Sequence, residues 1–386
     1  MNDLSERIAK LPPEKRDLLI RRLTQQHPQQ TAKEVSRSPR EKKRRYVPEQ
    51  DGNFHLHVSQ PGILDSLALK LTSRKDPGPG QIQIRIFAAS LNFRDVMIAL
   101  GIYPTPPGMT AIMGSDCAGK IVATGEGVEG FHVGDEVIAL SSDSFSAFTT
   151  TSTFTVVPKP ACLSFDEAAA IPTVFLTVWY GLHYLARLSQ SDRLLIHSAA
   201  GGVGLTAIQV ARLIGAEIFA TVGTPEKRDF IRSLGVEHIM NSRSLEFADE
   251  VMKLTGGEGV DVVLNSLAGE AIPKGLSILR PLGRFVELGK RDIYQNSQVG
   301  LLPFHKGLSF YAIELSPLVR QRPALFQSLF LEIMQPFEQG IFKPLPMRTF
   351  PISEVANAFK YMAQGIHIGK IVVQLEDQEV LVATDN

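Results

Sequence analysis

Residues 196–212, IHSAAGGVGLTAIQVAR, constrain the fold of this chain more than any other stretch. An apolar strand runs into a glycine cluster, and a helix with apolar periodicity follows with no polar loop between them. Glycines at such a corner permit positive φ and close backbone approach. The helix N-terminus behind them offers unpaired N–H groups and a positive dipole end to an anion. Taken alone, the corner is either a dinucleotide cradle or a tight turn. The rhythm of the next hundred or so residues decides between them. Strands are predicted at 193–199, 216–222, 238–242, 260–267 and 283–289, with a sixth in LSFYAIEL (308–315). The intervening GVGLTAIQVARLIG, PEKRDFIRSLG, LEFADEVMKLTGG and AIPKGLSILRPL read as helices. This alternation predicts an α/β, doubly wound parallel sheet covered on both faces. Ser198, Gly201, Gly202, Val203 and Gly204 then occupy its first strand-to-helix turn, where a dinucleotide pyrophosphate is expected.

The tip of the second strand indicates which dinucleotide. An NAD-type site places a carboxylate about 20 residues after the glycines to hold the ribose 2′-hydroxyl. Here the strand ends in Val222-Gly223-Thr224, with Lys227 and Arg228 following and Glu226 close by. Arg243, in NSRS, stands at the tip of the third strand. Thr224, Lys227 and Arg243 with no acid at the strand tip suit a 2′-phosphate, so NADPH is the expected cofactor.

Before this region the texture is β. QIQIRIFA (81–88) alternates strictly, GKIVATGEGVEGFHVGDEVIAL (119–140) reads strand, glycine turn, strand, and FTVVPKP (154–160) is a further short strand. Short strands with Gly/Pro turns predict a barrel-like β domain. Ser164 and Glu167 form a capping-box signature ahead of a helix over AAAIPTVFLTVWYGLHYLARL. The chain closes on the strand GKIVVQLE, so the β domain is expected to be split. The expected organisation is a helical linker or docking segment (1–26), a flexible basic linker (27–50), a first β part (51–170), the NADP-binding part (171–320) and a last β part (321–386).

Forty Lys/Arg balance forty Asp/Glu, so no whole-chain field favours nucleic acid or an anionic membrane. Residues 1–50 carry 13 basic against 7 acidic side chains, and REKKRR there reads as a solvated linker run. Two cysteines, Cys117 and Cys162, supply neither a four-cysteine zinc site nor a disulfide framework, and no metal is expected. The charged N-terminus is no signal peptide, and no apolar run approaches the roughly 20 residues of a membrane helix. A cytoplasmic protein is expected.

LNFRDVMIALGIYP, GSDCAGKIVATGEGVEGFHVGDEVIAL, HSAAGGVGLTAIQVAR, DVVLNSLAGE, GRFVELGKRDI and AFKYMAQGIHIGKIVV occur in this order. Together, over about residues 54–375, they resemble the enoyl reductase domain of modular polyketide and animal-type fatty acid synthases. That domain belongs to the zinc-free branch of the medium-chain dehydrogenase/reductase superfamily. The resemblance implies a Rossmann sheet inserted in a GroES-like β-barrel domain. It also implies NADPH and the reduction of a trans-2-enoyl chain carried on an acyl carrier protein. LSERIAKLPPEKRDLLIRRL is similar to helical linkers ahead of modules in hybrid peptide–polyketide synthases, implying a polyketide or hybrid synthase partner. The chain is then either a free-standing reductase acting in trans or a piece of a synthase.

Such a reduction needs a hydride at Cβ, stabilisation of the enolate oxygen and a proton at Cα. By the resemblance, Lys290 in ELGKRDI is the proton donor, and it falls just past the C-terminal end of the fifth strand, where open α/β sheets bind ligands. The family pairs this lysine with an Asp. Here Glu314 in YAIEL stands nearest, as its partner or as a structural carboxylate. Tyr103 in GIYP matches a tyrosine tied to the face of Cα protonation, or else packs in its loop. Asn92 and Arg94 of NFRD are expected to orient cofactor or carrier arm, with Asp95 bracing Arg94. Asn265 or Ser266 is expected to contact the nicotinamide by its backbone, with Leu288 beside it, Lys370 at a cofactor phosphate, and His367 in a structural role. Three other readings fit: a quinone- or enal-reducing relative acting on free small molecules, a relative that closes a cyclopropane by expelling a β-halide, and a non-catalytic docking protein.

Overall fold

The computed structural model describes residues 43–47, 52–105, 111–376 and 380–383. The expected helical segment 1–26 and most of the expected linker lie outside the described residues.

Six strands form one parallel sheet: β1 (Arg193–Ile196), β2 (Glu217–Val222), β3 (His238–Asn241), β4 (Val260–Asn265), β5 (Leu279–Glu287) and β6 (Ser309–Ala312). Their order is β3-β2-β1-β4-β5-β6, the doubly wound arrangement. The runs Leu194-Leu195-Ile196 and Val262-Val263-Leu264 are apolar throughout because both sheet faces are covered. On one face lie the helices Gly202–Ile214, Pro172–Val178 and Pro323–Glu338. On the other, Phe219, Phe247, Leu276 and Phe285 share a second core.

Two helices end earlier than the apolar pattern predicts. AIPKGLSILRPL is helical only over Ala271–Ser277, and β5 begins at Leu279. Pro281 and Gly283 do not sustain a helix, and Leu282 takes a left-handed φ of 64°. The Ser164–Glu167 capping box forms, with Glu167 N–H 3.2 Å from Ser164 Oγ, but its helix stops at Ala169. Pro172 restarts the chain as the first residue of Pro172–Val178, and a π-helical turn, Trp179–Leu185, follows.

The remaining strands build the β unit. A seven-stranded sheet runs Met347–Pro351, Lys370–Gln374, Gln81–Leu91, Asp116–Thr124, Glu136–Leu140 and Val156–Pro158, with Phe148–Ser152 also paired to Gln81–Leu91. Strands that precede and follow the parallel sheet in the sequence therefore build one sheet. A four-stranded sheet joins Lys43–Arg45, Leu381–Ala383, Leu67–Thr72 and Asn53–Val58. Lys43–Arg45, the last three residues of REKKRR, correct the linker expectation by forming an edge strand antiparallel to Leu381–Ala383. The buried Tyr46 ring anchors it, meeting Phe54 edge-on at 4.9 Å. Ala88, Ala118 and Val372 of the larger sheet share a core with Leu194 and Ile196, so the two units pack continuously. No helix among the described residues is long and apolar enough to cross a membrane.

Candidate active site

The glycine turn forms at the C-terminal end of β1. Ser198 sits in the left-handed region at φ 55°, and its N–H lies 3.3 Å from Thr221 Oγ1. Gly201 opens the helix Gly202–Ile214, and the Gly369 N–H donates to Ala200 O at 2.9 Å, tying the turn to the β unit. A Cβ on Gly204 would stand 2.4 Å from Ala199 Cα, so this glycine allows helix and strand to touch. A Cβ on Gly201 would meet nothing nearer than Ser198 O at 3.5 Å. A Cβ on Gly202 would instead meet Lys370 Cδ at 2.8 Å, so the free space at this helix N-terminus lies on the Gly201 side.

At the tip of β2, a cavity of about 230 Å³ is lined by Val222, Gly223, Thr224, Pro225, Arg228 and Asn241. Thr224 caps the following helix, accepting from the Lys227 N–H at 3.3 Å. The Lys227 ammonium donates to Gly365 O at 2.7 Å, and Arg243 Nε lies 3.1 Å from where a Gly223 Cβ would be. Burial and the Arg243 charge hold the Lys227 ammonium below the usual lysine range. Among the described residues neither cation has an ion pair. Two cations held together without a carboxylate fit an anionic group such as a phosphate. Glu226 turns back onto its own helix terminus and Thr224, and Arg228 reaches Ile239 O at 2.5 Å. His367 lies near Lys227 and Lys370, and burial with these two charges pushes its imidazole down to about 4. Its Nδ1 is buried without a hydrogen-bond partner.

Lys370 corrects an expectation. Its side chain is 3% exposed, and its ammonium lies 2.9 Å from Leu91 O, 2.9 Å from Asn92 Oδ1 and 3.4 Å from Asp116 Oδ2. Those partners engage all three of its protons, leaving none for a cofactor phosphate. Asp116 also accepts from Ser90 Oγ (3.1 Å), Asn92 Nδ2 (2.9 Å) and Thr173 N–H (3.0 Å). Lys370 and Asn92 thus hold Asp116 within the larger β sheet, against Thr173 of the helix Pro172–Val178. Replacing Lys370 by Met leaves the buried Asp116 carboxylate without a cation. It should lower stability by about 3 kcal/mol in urea unfolding while NADPH affinity stays within a few-fold. Unchanged unfolding with lost NADPH affinity would return Lys370 to the phosphate site.

Asp95 does not brace Arg94. It accepts from the Asn92 N–H (2.8 Å) and the Gly114 N–H (2.9 Å), closing a helix cap and pinning a loop. Arg94 instead lies over the Tyr103 ring, 5.2 Å from its centroid, with Ser115 Oγ 3.4 Å away.

Lys290 and Glu314 meet. Their charged atoms are 2.8 Å apart at the C-terminal ends of β5 and β6, and the Lys290 ammonium also donates to Ile313 O. The longer carboxylate reaches the lysine because Glu314 lies two residues beyond the end of β6. Tyr294, on the short helix Arg291–Tyr294, joins them without belonging to any motif the sequence displays. Burial, with Glu314 and Tyr103 nearby, holds its phenol above the ordinary tyrosine range, while Arg94 opposes the shift. Through Tyr294 the Lys290–Glu314 pair of the parallel-sheet unit thus comes close to Tyr103 and Arg94 of the β unit. Tyr294's signal is its place four residues after Lys290, one helical turn away.

At the ends of β4 and β1, Ser266 Oγ lies 3.2 Å from Ser198 Oγ. Asn265 is buried, and its side chain bonds Leu267 and Glu287 rather than facing a ligand, while its carbonyl accepts the Leu288 N–H at 2.9 Å. Behind them, His197 is buried with Nδ1 3.0 Å from Thr221 Oγ1, and burial pushes its imidazole down to about 3. A folded-state value below the unfolded one means stability is full above about 6.5 and is lost as pH falls toward 3, by on the order of 4 kcal/mol. Asp95 and Glu287, raised by burial to about 6 and about 7, act oppositely: their contribution is full at acid pH and lost as pH rises through those values. The comparison of wild type with His197→Phe isolates the first effect. The variant should lose less stability between pH 6.5 and 4, and parallel pH–stability curves would remove His197 as the acid-sensitive group.

Among the described residues no three His, Cys, Asp or Glu side chains are arranged to hold a metal ion. The zinc-binding dehydrogenase family profile matches residues 202–333, and the alcohol dehydrogenase GroES-like domain profile matches residues 78–167. A phenolphthiocerol/phthiocerol polyketide synthase of Mycobacterium tuberculosis is 43% identical over 83% of this chain, and the match spans 15% of that protein. Among solved structures, the CurK enoyl reductase is 46% identical, with a TM-score of 0.77, covering 84% of this chain and 99% of that one. The CurF ER cyclopropanase from the curacin A biosynthetic pathway is 36% identical, with a TM-score of 0.77 over 83% of this chain and 99% of that one.

Proposed function

We propose, on the premise that this chain belongs to the polyketide-synthase enoyl reductases of the medium-chain dehydrogenase/reductase superfamily, that it reduces a trans-2-enoyl thioester on an acyl carrier protein with NADPH and without zinc. The observation that carries this reading is the Lys290 ammonium, held by Glu314 and Ile313 O at the C-terminal ends of β5 and β6, with Tyr294 close to Glu314 and Tyr103.

NADPH, when bound, supplies the hydride. Gly201 and Gly202 take its pyrophosphate at the helix N-terminus. Thr224, Lys227 and Arg243 take the 2′-phosphate, and Ser198, Ser266 and Leu288 line the nicotinamide end. Lys290 donates to the thioester oxygen as enolate charge develops, where a fixed cation is most effective. It or Tyr103 delivers the proton to Cα. Arg94 holds Tyr103 by its ring face. The split β unit, formed by the parts before and after the parallel sheet, supplies the acyl-chain side. The carrier protein and a polyketide or hybrid synthase in the cytoplasm are the partners this chemistry requires.

The test is NADPH oxidation with crotonyl-pantetheine thioester and crotonyl carrier protein, with NADH as control. Turnover with NADPH is expected on both substrates. Arg243→Ala should raise the KM for NADPH roughly tenfold or more and leave the KM for NADH unchanged, since one charged hydrogen-bond partner is lost. Equal losses with both cofactors would end the 2′-phosphate assignment.

A further inference from the structure

Glu287 is the last residue of β5, and it is 1% exposed. A carboxylate at that depth is costly unless its oxygens are engaged. Here each oxygen takes a different N–H. Oε2 accepts from Asn265 Nδ2 at 2.6 Å, and Oε1 accepts from the Gly289 N–H at 2.5 Å. Asn265 is its cross-strand neighbour on β4, and the same Asn265 amide nitrogen donates to Leu267 O at 2.7 Å. The Glu287 backbone carbonyl accepts from the Ile313 N–H at 2.9 Å, the residue that follows β6. One residue thus ties together the three strand ends from which Ser266, Lys290 and Glu314 emerge. Gly289, which it grips, is the immediate neighbour of Lys290.

The choice of a carboxylate follows from the geometry. Two donors converge on one side chain, so two acceptor oxygens are required. A glutamine presents one oxygen and would turn its own NH₂ toward the other donor. Asp292 and Lys290 are the charged groups near Glu287, and Lys290 is engaged with Glu314 instead. No cation forms an ion pair with Glu287 among the described residues. A structural core position would be filled more cheaply by an apolar side chain.

We infer that Glu287 is a positioning residue, which sets the place of the Lys290 ammonium by clamping the ends of β4, β5 and β6 through Asn265, Gly289 and Ile313. The inference rests on the role given to Lys290 above. It predicts that Glu287 acts on turnover only through that lysine.

Two variants test it. Glu287→Gln keeps the size and removes one acceptor. Gly289→Ala puts a Cβ 2.7 Å from Glu287 Oε1, the movable end of a side chain, and so displaces the carboxylate with little demand on the core. The first readout is the Nζ resonance of Lys290 in protein labelled with ¹⁵N-lysine, assigned by its loss in Lys290→Met. Wild type should show a protected ammonium signal, and either variant should broaden or shift it. The second readout is kinetic: kcat should fall about tenfold or more with the KM for NADPH within twofold, as expected for a misplaced donor. Glu287→Gln added to Lys290→Met should cause no further loss of kcat. An unchanged Nζ signal in both variants, or none in wild type, overturns the inference. So does a Glu287→Gln loss that persists undiminished in the Lys290→Met background. Absence of enoyl-thioester turnover by wild type would instead refute the proposed reaction, and the Nζ readout would still decide whether Glu287 places Lys290.

Discussion

Lys290→Met should lower turnover of an enoyl thioester by roughly 10²- to 10⁴-fold, the range for removing a positioned proton donor, while leaving NADPH binding intact. The variant keeps an unbranched side chain as far as Cε and removes the ammonium with its charge and three donors. Nothing in the cofactor-binding turn depends on it, since the ammonium bonds Ile313 O and Glu314. The loss should therefore fall on kcat, with the dissociation constant for NADPH, read by nicotinamide fluorescence, within twofold of wild type. Glu314→Gln should lie between the two, because it loosens the ammonium without deleting it. Arginine at 290 is a poor substitute: its planar fork is bulkier and does not give up a proton. Retained turnover in Lys290→Met would pass the proton-donor role to Tyr103 or Tyr294. Each would then be tested by its phenylalanine variant.

Features carried by periodicity and by short-range chemistry are legible in the sequence. The doubly wound sheet follows from apolar runs alternating with amphipathic helices, and all six predicted strands form. The Lys290–Glu314 pair is implied by the family resemblance, and the structure adds that the longer carboxylate makes contact. Burial is the property the sequence conceals. Lys370 and Asn92 look like ligand-facing residues because they are polar and sit in motifs, yet the fold turns both onto Asp116. Asp116 lies far from both in the chain, so no local pattern reveals the network. Asp95 is a similar case: its neighbour Arg94 is the obvious partner, but two backbone N–H groups take the carboxylate first. The strand Lys43–Arg45 is hidden by its charge, because edge strands need no apolar face and its partner lies at the far end of the chain. Glu287 escapes notice inside VELGK, where a strand-end glutamate reads as exposed.

Gly201→Ala and Gly204→Ala should fail in different ways, and the difference tests whether the turn is a dinucleotide cradle or only a tight corner. At Gly204 the new methyl would stand 2.4 Å from Ala199 Cα and 2.5 Å from Ala199 O. Both are backbone atoms, with no side-chain rotation to relieve the clash, so helix and strand must separate. A loss on the order of 4 kcal/mol or more is expected, seen as a large fall in the thermal midpoint without any ligand. At Gly201 the backbone lies at φ −80° and ψ 170°, which alanine adopts without strain. The nearest atom to its added methyl is 3.5 Å away. The ligand-free protein should therefore keep its melting temperature to within a degree or two. The methyl instead occupies the space over the helix N-terminus where a pyrophosphate would approach the backbone. NADPH affinity should drop by roughly tenfold or more, a cost of about 1.4 kcal/mol, with the fold intact. Were Gly201→Ala to bind NADPH as wild type does, the open face of the turn would not be the phosphate site. A Gly204→Ala protein of unchanged stability would mean that β1 and its helix tolerate separation, and the reading of the third glycine as a packing residue would fall with it.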